Sequence, residues 1–79
     1  MTVLFFATAR TAAGLSQGEF SVTAPVGESE LWSLLIDRHP ALAAIRTVTR
    51  LARNGVYAEP DSVFMDSDEV ALIPPVSGG

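Results

Sequence analysis

Val70-Ala71-Leu72-Ile73-Pro74-Pro75-Val76-Ser77-Gly78-Gly79 joins a fully apolar, strand-like run to a segment that cannot continue it. Branched apolar residues suit a pleated, packed surface, whereas proline has no N–H to give to a ladder, so the strand is expected to stop at Pro74-Pro75. Upstream, Asp66-Ser67-Asp68-Glu69 reads as the turn that leads into it. At the far end, Thr2 to Thr8 (TVLFFAT) is the other continuous apolar run, with the look of a strand buried on both faces. These two most apolar segments are therefore expected side by side at the centre of a sheet.

Between them the period changes twice. The stretch Ala9 to Gly18 reads as a loop, and Phe20, Val22 and Ala24 alternate with Ser21 and Thr23 as a half-buried second strand that Pro25 ends. From Gly27, residues Leu31, Leu34, Leu35 and Arg38 recur at helical spacing. Glu28 and Glu30 sit where the helix dipole favours negative charge, and Gly27, Glu28 and Ser29 all qualify as the cap. Pro40 is expected to end this helix near Asp37–His39, with Ala41 to Ile45 adding a short turn. Leu51-Ala52 then leads into Asn54-Gly55, the dipeptide suited to a tight hairpin, and Val56-Tyr57-Ala58 returns from it.

The order strand, strand, helix, strands predicts an α+β domain. Two hairpins around one helix indicate the β-grasp arrangement: a mixed sheet of four to five strands with one main helix packed on one face. The expected division is a domain over 1–73 and an extended tail over 74–79. One helix covers only one face, so some of Val3, Leu4, Phe5, Phe6, Leu72 and Ile73 are expected on an exposed apolar surface suited to a partner.

Composition narrows the function. With 79 residues there is room for one compact domain, burying about 60% of the surface of its unfolded chain. The 48% apolar content argues against disorder. No stretch approaches the roughly 18 apolar residues of a membrane span, and the opening lacks the basic start of a signal peptide. The expectation is a cytoplasmic protein. Cysteine is absent, which removes disulfides, thiolate metal sites and thiol nucleophiles. Nine acidic residues stand against five arginines and no lysine, a net charge of −4 that discourages nucleic-acid binding and fits a basic protein partner.

The tail carries the chemistry. Consecutive prolines hold backbone extended at about 3.1 Å per residue, so Pro74 to Gly79 spans roughly 15–20 Å. Gly78 and Gly79 lack Cβ atoms and suit a channel too narrow for other residues, with the terminal carboxylate as the reactive group. Other candidates are weaker. His39 has no second ligand or nucleophile beside it and reads as a surface or capping residue. Trp32 and Tyr57 read as core or core edge. Asp66, Asp68 and Glu69 lack the ligand spacing of a calcium loop and read as a solvated turn, so no metal site is expected. Ser16, Ser21 and Ser77 lack the partners of a nucleophile. Arg46, Arg50 and Arg53 form a loose, solubilising basic stretch.

The sequence resembles the MoaD family of ubiquitin-like sulfur carriers, the small subunit of molybdopterin synthase, over nearly its whole length. The resemblance lies in Val3-Leu4-Phe5-Phe6-Ala7 followed by Arg10, in Asn54-Gly55, and in Asp68-Glu69-Val70-Ala71 leading to Pro74-Pro75-Val76-Ser77-Gly78-Gly79. Arg53 departs from it, standing where the family commonly has an apolar residue. The resemblance implies that a ubiquitin-activating-like enzyme adenylates Gly79 with ATP and that a sulfur donor then yields a thiocarboxylate. It implies delivery of that sulfur to cyclic pyranopterin monophosphate in the large subunit, in an assembly of two copies of each. No cofactor is permanently bound, and the chain supplies the sulfur rather than the catalytic side chains. Pro74, Pro75, Val76, Ser77 and Gly78 would insert into the partner, with Phe5, Phe6, Arg10 and Leu72 at the interface. Arg10 suits either a partner carboxylate or the chain's own acidic turn. The alternatives are a thiamine-pathway carrier and a protein modifier joined to lysines through Gly79; the Pro-Pro-Val-Ser lead-in argues against the first.

Overall fold

A computed structural model describes residues 1–75. Its main sheet has five strands: β1 (Thr2–Phe5), β2 (Gln17–Glu19), β4 (Arg50–Arg53), β5 (Val56–Tyr57) and β7 (Glu69–Ile73). They lie in the order β2-β1-β7-β4-β5. The first and last strands are central and parallel, with Thr2 opposite Glu69 and Phe5 opposite Leu72. β4 runs antiparallel to β7, and β5 returns from the Asn54-Gly55 turn, where both residues have positive φ (50° and 85°). Two short strands, β3 (Val26–Gly27) and β6 (Val63–Phe64), pair separately.

Helix α2 (Glu28–Arg38) crosses one face of the sheet. Its buried residues are Leu31, Trp32 and Leu35, whereas Leu34 is 39% exposed. The buried stripe is thus rotated by one position from the expected one, because the bulk of Trp32 fills the space that faces the sheet. Pro40 starts a long 3-10 segment, Pro40–Val48, where a short turn was expected. Its Leu42 joins Val3, Phe5, Phe20, Leu51, Phe64, Val70 and Leu72 in the core.

Two expected strands are corrected. The apolar run from Thr2 does not continue to Thr8: β1 ends at Phe5, and Ala7–Ala13 forms helix α1. The sequence ATARTAA is rich in alanine, the best helix former, and the loop expected from Ala9 is mostly this helix. Packing holds so short a helix, with Ala9 fully buried and Ala12 and Ala13 against the core. Gly14 ends it in the left-handed conformation (φ 79°), its N–H donating to the Arg10 carbonyl at 2.9 Å.

The second strand is Gln17–Glu19 rather than Phe20–Ala24. The β1–β2 ladder runs out where β1 begins; its last bond is from the Phe20 N–H to the Met1 carbonyl. Beyond that, the Val22 N–H turns to the Asp66 carboxylate at 3.0 Å. Phe20 still packs inward, 4% exposed, from irregular backbone.

The central strands also alternate rather than burying both faces. Val3, Phe5, Val70 and Leu72 are 0–1% exposed, while Leu4, Ala71 and Ile73 are only half-buried. Among the described residues no helix is long and apolar enough to cross a membrane.

Candidate functional site

The tail leaves from the end of β7. Ile73 stands opposite Arg50 on β4, and the Phe6 N–H donates to the Leu72 carbonyl on the other side at 3.3 Å. The chain beyond Ile73 therefore starts between two fixed neighbours, in line with a strand held on both edges. Pro74 is buried and Pro75 exposed. Val76, Ser77, Gly78 and Gly79 lie outside the described residues.

Beside that exit is the face of the sheet that α2 does not cover. The register places Leu4, Ala71, Ala52 and Tyr57 in one row across it, because directly paired residues share a face. Ile73 and Arg50 form the next row towards the exit. Phe6 extends it, 48% exposed, its backbone still extended (φ −113°, ψ 153°). Arg50 stacks on the Tyr57 ring with 3.8 Å from guanidinium carbon to centroid. Tyr57 is thus half-exposed on the open face rather than a core-edge residue. The result is a shallow apolar surface of small and medium side chains, with one cation held flat against an aromatic ring.

Phe5 and Leu72 do not belong to this surface. At 1% and 0% exposure they point to the helix side, and the two-residue alternation of a strand forbids them from the open face. Phe6 and Arg10 are exposed. Among the described residues Arg10 forms no ion pair, and the acidic turn that was one candidate partner is engaged elsewhere.

That turn is solvated at Asp66, Ser67 and Glu69 but not at Asp68. Asp68 is 7% exposed and accepts from the Met65 N–H (2.8 Å) and from Asn54 Nδ2 (3.0 Å). Arg53 Nε lies 3.4 Å from Asp68 Oδ2, the oxygen that also accepts from Met65, and Arg53 donates to the Val63 carbonyl at 2.9 Å. The Met65 N–H first, then Asn54 and Arg53, hold the Asp68 carboxyl below the ordinary aspartate range against the opposing effect of burial. Arg53, the departure from the family pattern, is thus matched by a buried acid. Asp66 is likewise lowered, chiefly by the Val22 N–H and then by the Met1 ammonium. Among the described residues no three acidic or histidine side chains gather as metal ligands. His39 caps α2, its N–H donating to Leu35 O at 2.8 Å and its ring edge-on to Phe5 and Phe20.

A mixed sheet with parallel central strands and a helix across one face defines the ubiquitin-like β-grasp class. More narrowly, the chain belongs to the ThiS family, whose model matches residues 3–79. It is 37% identical over 79 residues to the molybdopterin synthase sulfur carrier subunit of Chlamydomonas reinhardtii, covering 98% of this chain and 95% of that one. The human subunit of the same name is 35% identical over 80 residues, covering 98% and 91%. Among solved structures it resembles small archaeal modifier protein 1 of Haloferax volcanii, with a TM-score of 0.85 and 29% identity over 100% of this chain and 98% of that one. The Methanosarcina acetivorans protein of that name gives 0.70 and 26%, covering 99% and 94%.

Proposed function

We propose that this chain is the sulfur carrier subunit of molybdopterin synthase and that its working group is the Gly79 carboxylate. The observation that carries the reading is the likeness to curated subunits of that name along 98% of the chain. The geometry accords with it, since β7 ends beside an open apolar face.

A free carboxylate is ionised at neutral pH and is a poor electrophile. In the first step a Gly79 oxygen attacks the α-phosphorus of ATP on a ubiquitin-activating-like enzyme, and pyrophosphate leaves. A sulfide-level donor, HS⁻, then attacks the carbonyl carbon: a C–S bond forms, the C–O bond to phosphate breaks, AMP departs, and the thioacid loses its S–H proton to give the thiocarboxylate. The thiocarboxylate sulfur attacks a carbon of cyclic pyranopterin monophosphate, and water then cleaves the resulting thioester, leaving the sulfur on the acceptor and returning the Gly79 carboxylate. Tethering the sulfur inside the large subunit makes its attack effectively intramolecular. Two carrier turnovers furnish the two sulfurs of the dithiolene. The large subunit, present in two copies with two carriers, docks on the open face around Leu4, Phe6, Ala71 and Ile73, with Arg10 meeting a carboxylate of the partner.

A second reading, a modifier joined to target lysines through Gly79, draws on the fold likeness to small archaeal modifier protein 1. Incubation with activating enzyme, ATP and a sulfur donor separates the two. A carrier gains sulfur in place of one oxygen, and removing Gly79 stops molybdopterin formation while the domain stays folded. Isopeptide adducts in cells without any thiocarboxylate would favour the modifier.

A further inference from the structure

An acyl group activated for transfer is exposed to any free amine nearby. The nitrogen attacks the carbonyl carbon, an amide C–N bond forms, the leaving group departs, and the nitrogen loses a proton. This chain offers almost nothing to make that attack. It has no lysine and no cysteine, and its five basic side chains are all arginine, whose guanidinium stays protonated. His39, the other nitrogen base, is half-buried between Phe5 and Phe20.

One amine remains, and the fold encloses it. Met1 is 6% exposed and belongs to the core. Its ammonium donates to the Phe20 carbonyl at 2.7 Å in a buried hydrogen bond, and the Phe20 N–H returns one to the Met1 carbonyl at 2.8 Å. The Asp66 carboxylate stands 3.6 Å from the same nitrogen and is itself anchored by the Val22 N–H. Reaction at this nitrogen requires breaking both contacts and lifting Met1 out of the core.

We propose that the molecule is inert towards its own activated carboxyl group: no amine of the same chain or of a second copy captures it. The acyl group then persists until a partner supplies the nucleophile. If it is passed to a lysine of another protein, it is added as a single copy, because the attached chain presents no amine to the next. This rests on the reading that Gly79 is activated, but its test does not need the activating enzyme.

The chain is prepared with a chemical thioester at Gly79, released from an intein fusion by a small thiol, and concentrated at neutral pH. Three forms are compared by intact mass: the chain itself, Arg46→Lys, and a chain with Gly-Ser placed before Met1. Arg46 is exposed, and the added dipeptide carries the amine out of its enclosure. The unaltered chain is expected to show hydrolysis alone, while both others form amide-linked dimers or rings. Their rates should be at least about tenfold higher, since the buried amine reacts only after local opening. Amide formation at Met1 of the unaltered chain, at the rate of the Gly-Ser form, would overturn the proposal. So would the absence of adducts in Arg46→Lys, which would show that something other than the missing amines protects the acyl group. Failure of the carrier reading shows separately, as no thiocarboxylate with the activating enzyme.

Discussion

Asn54 and Asp68 are bonded across the sheet: Asn54 Nδ2 donates to Asp68 Oδ1 at 3.0 Å, while Asn54 Oδ1 accepts from the Glu69 N–H at 2.9 Å. The Asn54 N–H also donates to the Glu69 carbonyl at 2.8 Å. The tip of the β4–β5 hairpin is thereby fastened to the first residue of β7, the strand that carries the tail. Asn54 serves twice, since it also tolerates the positive φ of the turn.

Asp68→Asn is expected to cost about 1–3 kcal/mol, because it removes a charge-assisted acceptor and sets two amides against each other in a buried place. Urea unfolding at neutral pH measures it. The acid limb gives a second readout. The folded-state carboxyl titrates below its ordinary value, so the unfolded chain binds the proton more readily and stability falls as pH drops below about 4. Asp68→Asn should have a shallower acid limb than the parent chain; an equal slope would mean that Asp68 does not contribute to it.

Ala7 holds a left-handed conformation (φ 50°) at the junction of β1 and α1. A β-branched side chain is strained there, so Ala7→Val should lose about 1–2 kcal/mol. Ala7→Gly should lose little, since glycine accepts that angle freely. Thermal unfolding of the two variants compares them directly.

Phe5 and Phe6 are neighbours with opposite fates. Phe5→Ala should destabilise the fold by about 3–5 kcal/mol, as expected for emptying a packed core position. Phe6→Ala should leave the melting curve nearly unchanged and weaken binding to the large subunit by about tenfold or more, as for a central aromatic contact. Calorimetric titration of the large subunit checks the second. Unchanged affinity would remove Phe6 from the interface.

Much of this was legible in the sequence, for identifiable reasons. The parallel central pair followed from the two most apolar runs, the main helix from its period, and the second hairpin from Asn54-Gly55. Helix α1 was hidden because Ala7–Ala13 follows an apolar strand without a break and has no side-chain cap. The second strand was displaced because Phe20 and Val22 alternate for packing alone, after the ladder has lost its partner. Burial of Asp68 depends on Arg53 and Asn54, fifteen and fourteen positions away, which no local pattern reveals. Phe5 and Leu72 cannot be told from partner-surface residues in the sequence, because an apolar run does not show which of its faces the helix covers.

The most direct test of the central claim is the intact mass of the chain after incubation with a ubiquitin-activating-like enzyme, ATP and a sulfur donor, with fragmentation to locate the change. The expected result is one oxygen replaced by sulfur at Gly79, and no change in a chain lacking that residue. An unchanged mass in the full chain, or sulfur found anywhere other than Gly79, would contradict it.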